Sequence, residues 1–343
     1  MGKRRLLLIL LMLMVLTLSG CSTLDIFKSF IRGEPYQGDN PPGEGDNTNV
    51  MESQSLEDMQ EQEPPDENTR QVTLYYRDHN GYIVPVLRNM PRVEGIAKAT
   101  LSAMVDSPEN RNELRALGLV PVIPGNTEID LAVKEDGLVR ANFSGEILKV
   151  ESRAEEESLV SAIVYALTEF ESIDKVQIMV NNEILETLTY GTDVSQPIGR
   201  GNINPLNNDI EGEHVKLTLY MYDNPTGHYT YFVPVTKNVP VGGKNIESAI
   251  KELIASQVED LQLGVPQGTQ VFGVTVDSGI AYVNFSDHLL QMTDADQIKN
   301  FTKAVALTLK DFGGMDGVQI LVDGKEIPLS GETLTMPTFV NVY

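Results

Sequence analysis

A chain of 343 residues, 41% of them hydrophobic, has the length for two or three domains and enough apolar content for packed cores. Its formal net charge of −23 excludes the basic footprint that nucleic-acid binding needs to displace counterions. The same charge disfavours adhesion of the protein surface to anionic headgroups or cell-wall phosphates.

Lys3-Arg4-Arg5 is a basic start, and Leu6 to Leu18 is an apolar run of thirteen residues. That run is shorter than the roughly twenty residues of a bilayer span and fits the core of a signal peptide. It ends in Leu18-Ser19-Gly20-Cys21, which resembles the lipobox of bacterial lipoproteins. Residues 1–21 are therefore expected to be a lipoprotein signal peptide, with Cys21 as the acylated first residue of the mature chain. Cys21 is the single cysteine, so the remainder holds no disulfide and no thiolate metal site. Each buried CH₂ of an acyl chain contributes about 0.8 kcal/mol to anchoring. The expected location is the extracytoplasmic face of the cell membrane, reached through lipid.

Residues 22–70 carry twelve acidic and three basic residues, with Pro41-Pro42 and Pro64-Pro65 as breakers. Such a stretch buries too little apolar surface to offset its ordering entropy. It reads as a disordered acidic spacer.

Beyond it, the chain writes one pattern twice. Asp136-Gly137-Leu138-Val139-Arg140-Ala141-Asn142-Phe143-Ser144 returns as Ser278-Gly279-Ile280-Ala281-Tyr282-Val283-Asn284-Phe285-Ser286. Val176-Gln177-Ile178 returns as Val318-Gln319-Ile320 at the same offset of about 142 residues. Two word pairs in step, with Asp174 and Asp316 alongside, mean an internal duplication. The expected division is 71–198 for the first repeat, 199–214 for a linker and 215–343 for the second.

Each repeat opens with two β-rich runs around turn chemistry. These are Val72–Tyr76 and Tyr82–Leu87 about Asp78-His79-Asn80-Gly81, then Val215–Tyr222 and Tyr229–Val235 about Asp223–Gly227. Pro85 and Pro234 confine the second strand of each hairpin to an edge or a bulge. Helical spacing follows at Val93, Ile96, Thr100, Leu101, Met104 and Val105, and at Ile246, Ala249, Ile250, Leu253 and Ile254. A second hairpin comes next, then a second helix burying Leu159, Ile163, Leu167 and Phe170, or Ile298, Phe301, Val305, Leu309 and Phe312. Val176–Val180 and Val318–Val322 close the repeats. The order ββαββαβ predicts an α+β fold in which two helices pack on one face of a small mixed sheet.

Two tandem units with these words, behind a lipobox and an acidic spacer, resemble the GerM-type lipoproteins of endospore formers, built from two GerMN domains. The resemblance covers about residues 70–343 and the anchor. It implies a role in sporulation and germination, acting during engulfment to support a trans-envelope channel complex, and domains similar to ring-building folds. Protein partners in that complex and self-association into a ring follow as expectations. The family offers no catalytic residue to carry over.

The residues themselves agree that no enzyme is expected. His79, His214, His228 and His288 have no metal-ligand spacing and read as solvated turn residues. Ser144 and Ser286 lack a nucleophile elbow, and suit hydroxyl bonds to backbone at a strand end. Glu155-Glu156-Glu157 and Asp294-Ala295-Asp296 suit the positive ends of helix dipoles. A calcium loop at Asp316-Gly317 or Asp323-Gly324 lacks the twelve-residue pattern. No cofactor is implied. The tyrosines Tyr75, Tyr76, Tyr82, Tyr220, Tyr222, Tyr229 and Tyr231 cluster on the leading hairpins. Strand alternation turns half of them away from the core, so two readings stand open: a protein-docking surface or cross-strand pairing that steadies the hairpin. The leading functional expectation is a scaffold lipoprotein; the alternative is a binding module for a cell-wall glycan or small solute.

Overall fold

Each repeat begins with an antiparallel hairpin. Strands β1 (Thr69–Arg77) and β2 (Ile83–Pro91) form the first, and β6 (His214–Asp223) and β7 (Tyr231–Pro240) the second. The structure is a computed structural model describing residues 68–134, 136–206, 210, 212–256, 258–327 and 333–343. Cys21, the signal segment and the acidic spacer as far as residue 67 lie outside the described residues. Among the described residues no helix is long and apolar enough to cross a membrane.

In the first repeat the hairpin leads to α1 (Ile96–Ser102) and a further helix, α2 (Pro108–Leu114). Then come β3 (Ile129–Val133), β4 (Leu138–Phe143), α3 (Arg153–Thr168) and β5 (Lys175–Val180). The second repeat continues with α4 (Ile246–Ala255), β8 (Val271–Asp277), β9 (Ile280–Phe285), α5 (Ala295–Lys310) and β10 (Gly317–Val322). Two short strands, β11 (Lys325–Glu326) and β12 (Leu334–Thr335), both pair with β10. Strand pairing is antiparallel for β3–β4 and β8–β9 and parallel for β4–β5 and β9–β10, so each repeat holds a mixed sheet. The leading hairpins are separate sheets, not extensions of it. This is a mixed α+β fold of small sheets and few helices in tandem repeat.

Helix α2 was not expected, although its start is conventional: Ser107 accepts a hydrogen bond from the Asn110 N–H (3.1 Å), and Pro108 occupies the first turn. Only Leu114 of the helix is buried, so no apolar stripe announced it. Val93 lies before α1 and is 48% exposed, outside the stripe assigned to it. Helix α3 is buried more widely than one stripe, at Leu159, Val160, Ala162, Ile163, Val164, Ala166 and Leu167. It contacts β1 of the hairpin and β5 of the mixed sheet, and a helix covered from two directions must be apolar on both.

The duplicated words have structural jobs. Phe143 and Phe285 are fully buried. Asn142 Oδ1 accepts from the Asn182 N–H (2.7 Å), and Asn284 Oδ1 from the Gly324 N–H (2.9 Å), tying the strand end to the turn after the next strand. Ser144 Oγ accepts from the Glu128 N–H and Ser286 Oγ from the Gln270 N–H, both at 3.0 Å, closing the base of the hairpin. Gln177 and Gln319 are buried, and Gln177 donates to the Val194 carbonyl (2.8 Å) while Gln319 accepts from the Thr333 hydroxyl (3.0 Å). The acidic runs cap and brace: Asp294 Oδ1 accepts from the Gln297 N–H (2.8 Å) at the start of α5. Buried Glu156 holds the Tyr190 and Thr192 N–H groups at 2.8 and 2.9 Å.

Gly279 has φ +82°, and an added methyl would run into the Asp316 side chain. Left-handed backbone costs a residue with a Cβ roughly 1–2 kcal/mol. Gly279→Ala should therefore destabilise by about that amount, read as a lower urea midpoint at unchanged slope. An unchanged midpoint would show that the turn can adopt another conformation.

Candidate functional site between the two repeats

The two hairpins meet along β2 and β7, the strands that carry Pro85 and Pro234. Proline has no N–H to donate, so these strands cannot zip into a continuous ladder at that point. Two asparagine side chains bridge them instead. Asn204 Oδ1 accepts from the Ile83 N–H, and its Nδ2 donates to the carbonyls of Ile83 and Pro234, all at 2.8 Å. Asn341 Oδ1 accepts from the Phe232 N–H (2.7 Å), and its Nδ2 donates to the carbonyls of Phe232 (2.9 Å) and Pro85 (2.7 Å). One set of bonds is the other with the repeats exchanged, the signature of a pseudo-twofold seam.

Backbone bonds follow the same symmetry. The segment after the first repeat pairs with β7, with Leu206 N–H donating to Thr236 O (2.9 Å) and Thr236 N–H to Ile203 O (3.0 Å). The end of the second repeat pairs with β2, with Leu87 N–H donating to Asn341 O (2.8 Å) and Tyr343 N–H to Leu87 O (3.2 Å). Each repeat thus lays its own tail on the other's hairpin. One hydrophobic core runs through both, with Leu74, Phe143 and Ile163 joined to Leu219, Phe285 and Phe301.

The tyrosines belong to this seam rather than to an open surface. Tyr75, Tyr76, Tyr222 and Tyr231 are buried, so for these four the docking expectation is corrected. The expectation assumed one bare hairpin face, but β1 touches both α1 and α3, and β6 touches both α4 and α5. Tyr75 donates to Glu169 Oε1 (2.7 Å) and packs on Tyr165 with ring centroids 5.5 Å apart. Burial pushes the Tyr76 hydroxyl up to about 12. Tyr222 packs on Phe232, and Tyr229 donates to the Val342 carbonyl (2.9 Å) beside the Tyr343 ring. Tyr82 donates across to the Glu259 carbonyl of the second repeat (3.3 Å). Tyr220 lines a cleft of about 380 Å³ with Tyr75, Glu169, Arg200, Lys310 and Asp311. Three of its four charges are committed within the protein: Arg200 to Glu169, Thr168 and the Tyr165 ring, and Lys310 to the Thr338 carbonyl.

At the other end of the seam lies a cluster that spacing along the chain did not reveal. The equivalent turn residues Asp78 and Asp223 face each other, with His79 beside them; one ligand atom from each of the three lies within 4.8 Å of the others. Tyr231 reaches both carboxylates, its hydroxyl 3.2 Å from Asp223 Oδ2 and 3.5 Å from Asp78 Oδ2. Burial pushes the Asp78 carboxyl above its ordinary value, against the pull of the Tyr82 and Asn80 N–H groups. Burial, then the two carboxylates, also drive the Tyr231 hydroxyl upward. His79 was expected to be a solvated turn residue; its side chain is 54% exposed, yet Nδ1 stands 4.0 Å from Asp223 Oδ2. The only signal was that both hairpins place Asp where the first strand gives way to the turn, and that signal gains meaning only once the repeats pack face to face.

Comparison with known proteins places the chain among sporulation proteins. The family model described as "Germane: Sporulation and spore germination" matches residues 73–186 and 218–328, one match on each repeat. The chain is 27% identical over 345 residues to "Spore germination protein GerM" of Bacillus subtilis (strain 168), covering 94% of this chain and 92% of that protein. The solved structure "Tandem GerMN domains of the sporulation protein GerM from Bacillus subtilis" superposes with a TM-score of 0.64 at 26% identity. It covers 80% of this chain and 99% of that one.

Proposed function

The chain belongs to the Germane family of sporulation and spore germination proteins, and on that premise we propose that it is a non-enzymatic, lipid-anchored scaffold of the sporulating cell envelope. It sits on the extracytoplasmic face of the membrane through acylated Cys21 and stabilises an envelope-spanning channel complex during engulfment. The observation that carries this reading is the family match on both repeats, in register with the duplication. Two structural facts support it. The Ser144 and Ser286 hydroxyls and the charged pair Glu169 and Arg200 are bound up in the fold's own hydrogen bonds. The exchanged tails lock the repeats into one body, as a spacer or strut between other proteins requires. We read the helices against each mixed sheet as a ring-building arrangement, from which self-association into a ring follows. A glycan or solute binder would need unsatisfied polar groups in its pocket, and those of the cleft are largely paired.

The test is capture of the tagged full chain from engulfing cells after crosslinking, beside Cys21→Ala. The wild type should carry labelled palmitate and bring down envelope-spanning proteins, while Cys21→Ala should stay unlabelled and lose them. Label entering the variant, or a wild type recovered alone, would end the proposal.

A further inference from the structure

We infer that Asp78, His79 and Asp223, with the Tyr231 hydroxyl, form a binding site for one divalent first-row metal ion, which bolts the two repeats together. The ligands come from both repeats: Asp78 and His79 from the turn after β1 and Asp223 from the end of β6, with the Tyr231 hydroxyl of β7 donating to both carboxylates. Each carboxylate is already oriented through its other oxygen. Asp78 Oδ1 accepts from the Asn80 (2.9 Å) and Tyr82 (2.8 Å) N–H groups, and Asp223 Oδ1 from the Asn224 N–H (2.8 Å). Their Oδ2 atoms are thereby turned toward each other. Outer bonds that fix the free oxygen of a ligand in this way are typical of metal centres.

The two inner oxygens share one donor, the Tyr231 hydroxyl. Tyr231 has one proton to donate and stands nearer Asp223, at 3.2 Å, than Asp78, at 3.5 Å. Asp78 Oδ2, on a residue only 1% exposed, faces into the cluster with the longer of the two bonds. The ion pair found at these carboxylates among the described residues is with His79. Two facing carboxylates buried together repel unless a shared proton or a cation lies between them. His79, the exposed member of the cluster, is the side through which an ion reaches it from solvent.

The donor set selects the ion. One imidazole nitrogen and two carboxylate oxygens, with the Tyr231 hydroxyl donating to the carboxylates rather than ligating, suit a first-row ion such as zinc, whereas calcium takes six to eight oxygens. Tetrahedral ligation at about 2.0–2.2 Å sets ligand atoms roughly 3.3–3.6 Å apart. Closing from within 4.8 Å requires side-chain shifts of about an ångström.

The test is titration of the full chain, in detergent and stripped with EDTA, with zinc chloride in competition with a chromophoric chelator, alongside melting curves. One equivalent should bind and raise the melting temperature. His79→Ala, at an exposed position, should weaken binding about tenfold or more, and Asp223→Asn should abolish it. The metal-free melt of Asp223→Asn shows whether that variant is folded. His228→Ala, in the corresponding but exposed turn of the second repeat, should leave affinity unchanged. Absence of one-to-one binding, tighter binding of calcium than zinc, or affinity unmoved by His79→Ala would overturn the inference.

Discussion

Asn341→Ala is expected to destabilise the protein by about 3 kcal/mol or more, because three backbone groups lose their partner at once. Asn341 is 2% exposed and serves the Phe232 N–H, the Phe232 carbonyl and the Pro85 carbonyl. Proline cannot offer a replacement donor, and the seam leaves little access for water. Asn341→Asp is the sharper control. It keeps the acceptor for Phe232 N–H but turns an anionic oxygen toward two carbonyl oxygens, so it should be no better than alanine despite its matching shape. Asn204→Ala should behave alike, since Asn204 makes the same three bonds with the repeats exchanged. Urea unfolding gives the answer. A loss within about 0.5 kcal/mol, as for ordinary surface changes, would show that the asparagine bridges are incidental to the seam.

What the sequence disclosed divides along a physical line. Contacts within one repeat were legible because they recur: the Asn-Phe-Ser and Val-Gln-Ile words, Gly137 with Gly279, and the hairpin turns all sit in both copies. Each is a local bond or a buried face, fixed by periods of two or 3.6 residues. Contacts between repeats were not legible. Asn204 and Asn341 stand in irregular tails with no flanking pattern, and their role depends on where the other hairpin lies. The docking alternative for Tyr75, Tyr76, Tyr222 and Tyr231 failed for the same reason. Alternation tells which residues share a face, but not whether a helix or a second repeat covers that face. Glu156 looked like one of three acids at a helix start, and only the position of residues 190–192 makes it a buried brace.

Phe143→Ala should remove about 3–5 kcal/mol, as for a large buried aromatic truncated to a methyl, and the loss should be felt in both repeats. Phe143 is fully buried in the first repeat, and its counterpart Phe285 is fully buried against Phe301, with ring centroids 5.4 Å apart. If the repeats were beads on a string, a cavity in the first would leave the second at full stability. The continuous core and the exchanged tails argue otherwise. The first repeat cannot unfold without stripping Asn204 and Leu206 from β7 and exposing the far side of the seam. Unfolding should therefore remain a single transition in Phe143→Ala. Hydrogen exchange reads this directly, because the slowest amides of a cooperative unit report its global stability. Amides of β9 and β10, far along the chain from the mutation, should lose protection by the same factor as those of β4 and β5. Protection that falls only in β4 and β5 would mean two independent domains, and the seam would then be a contact rather than a lock.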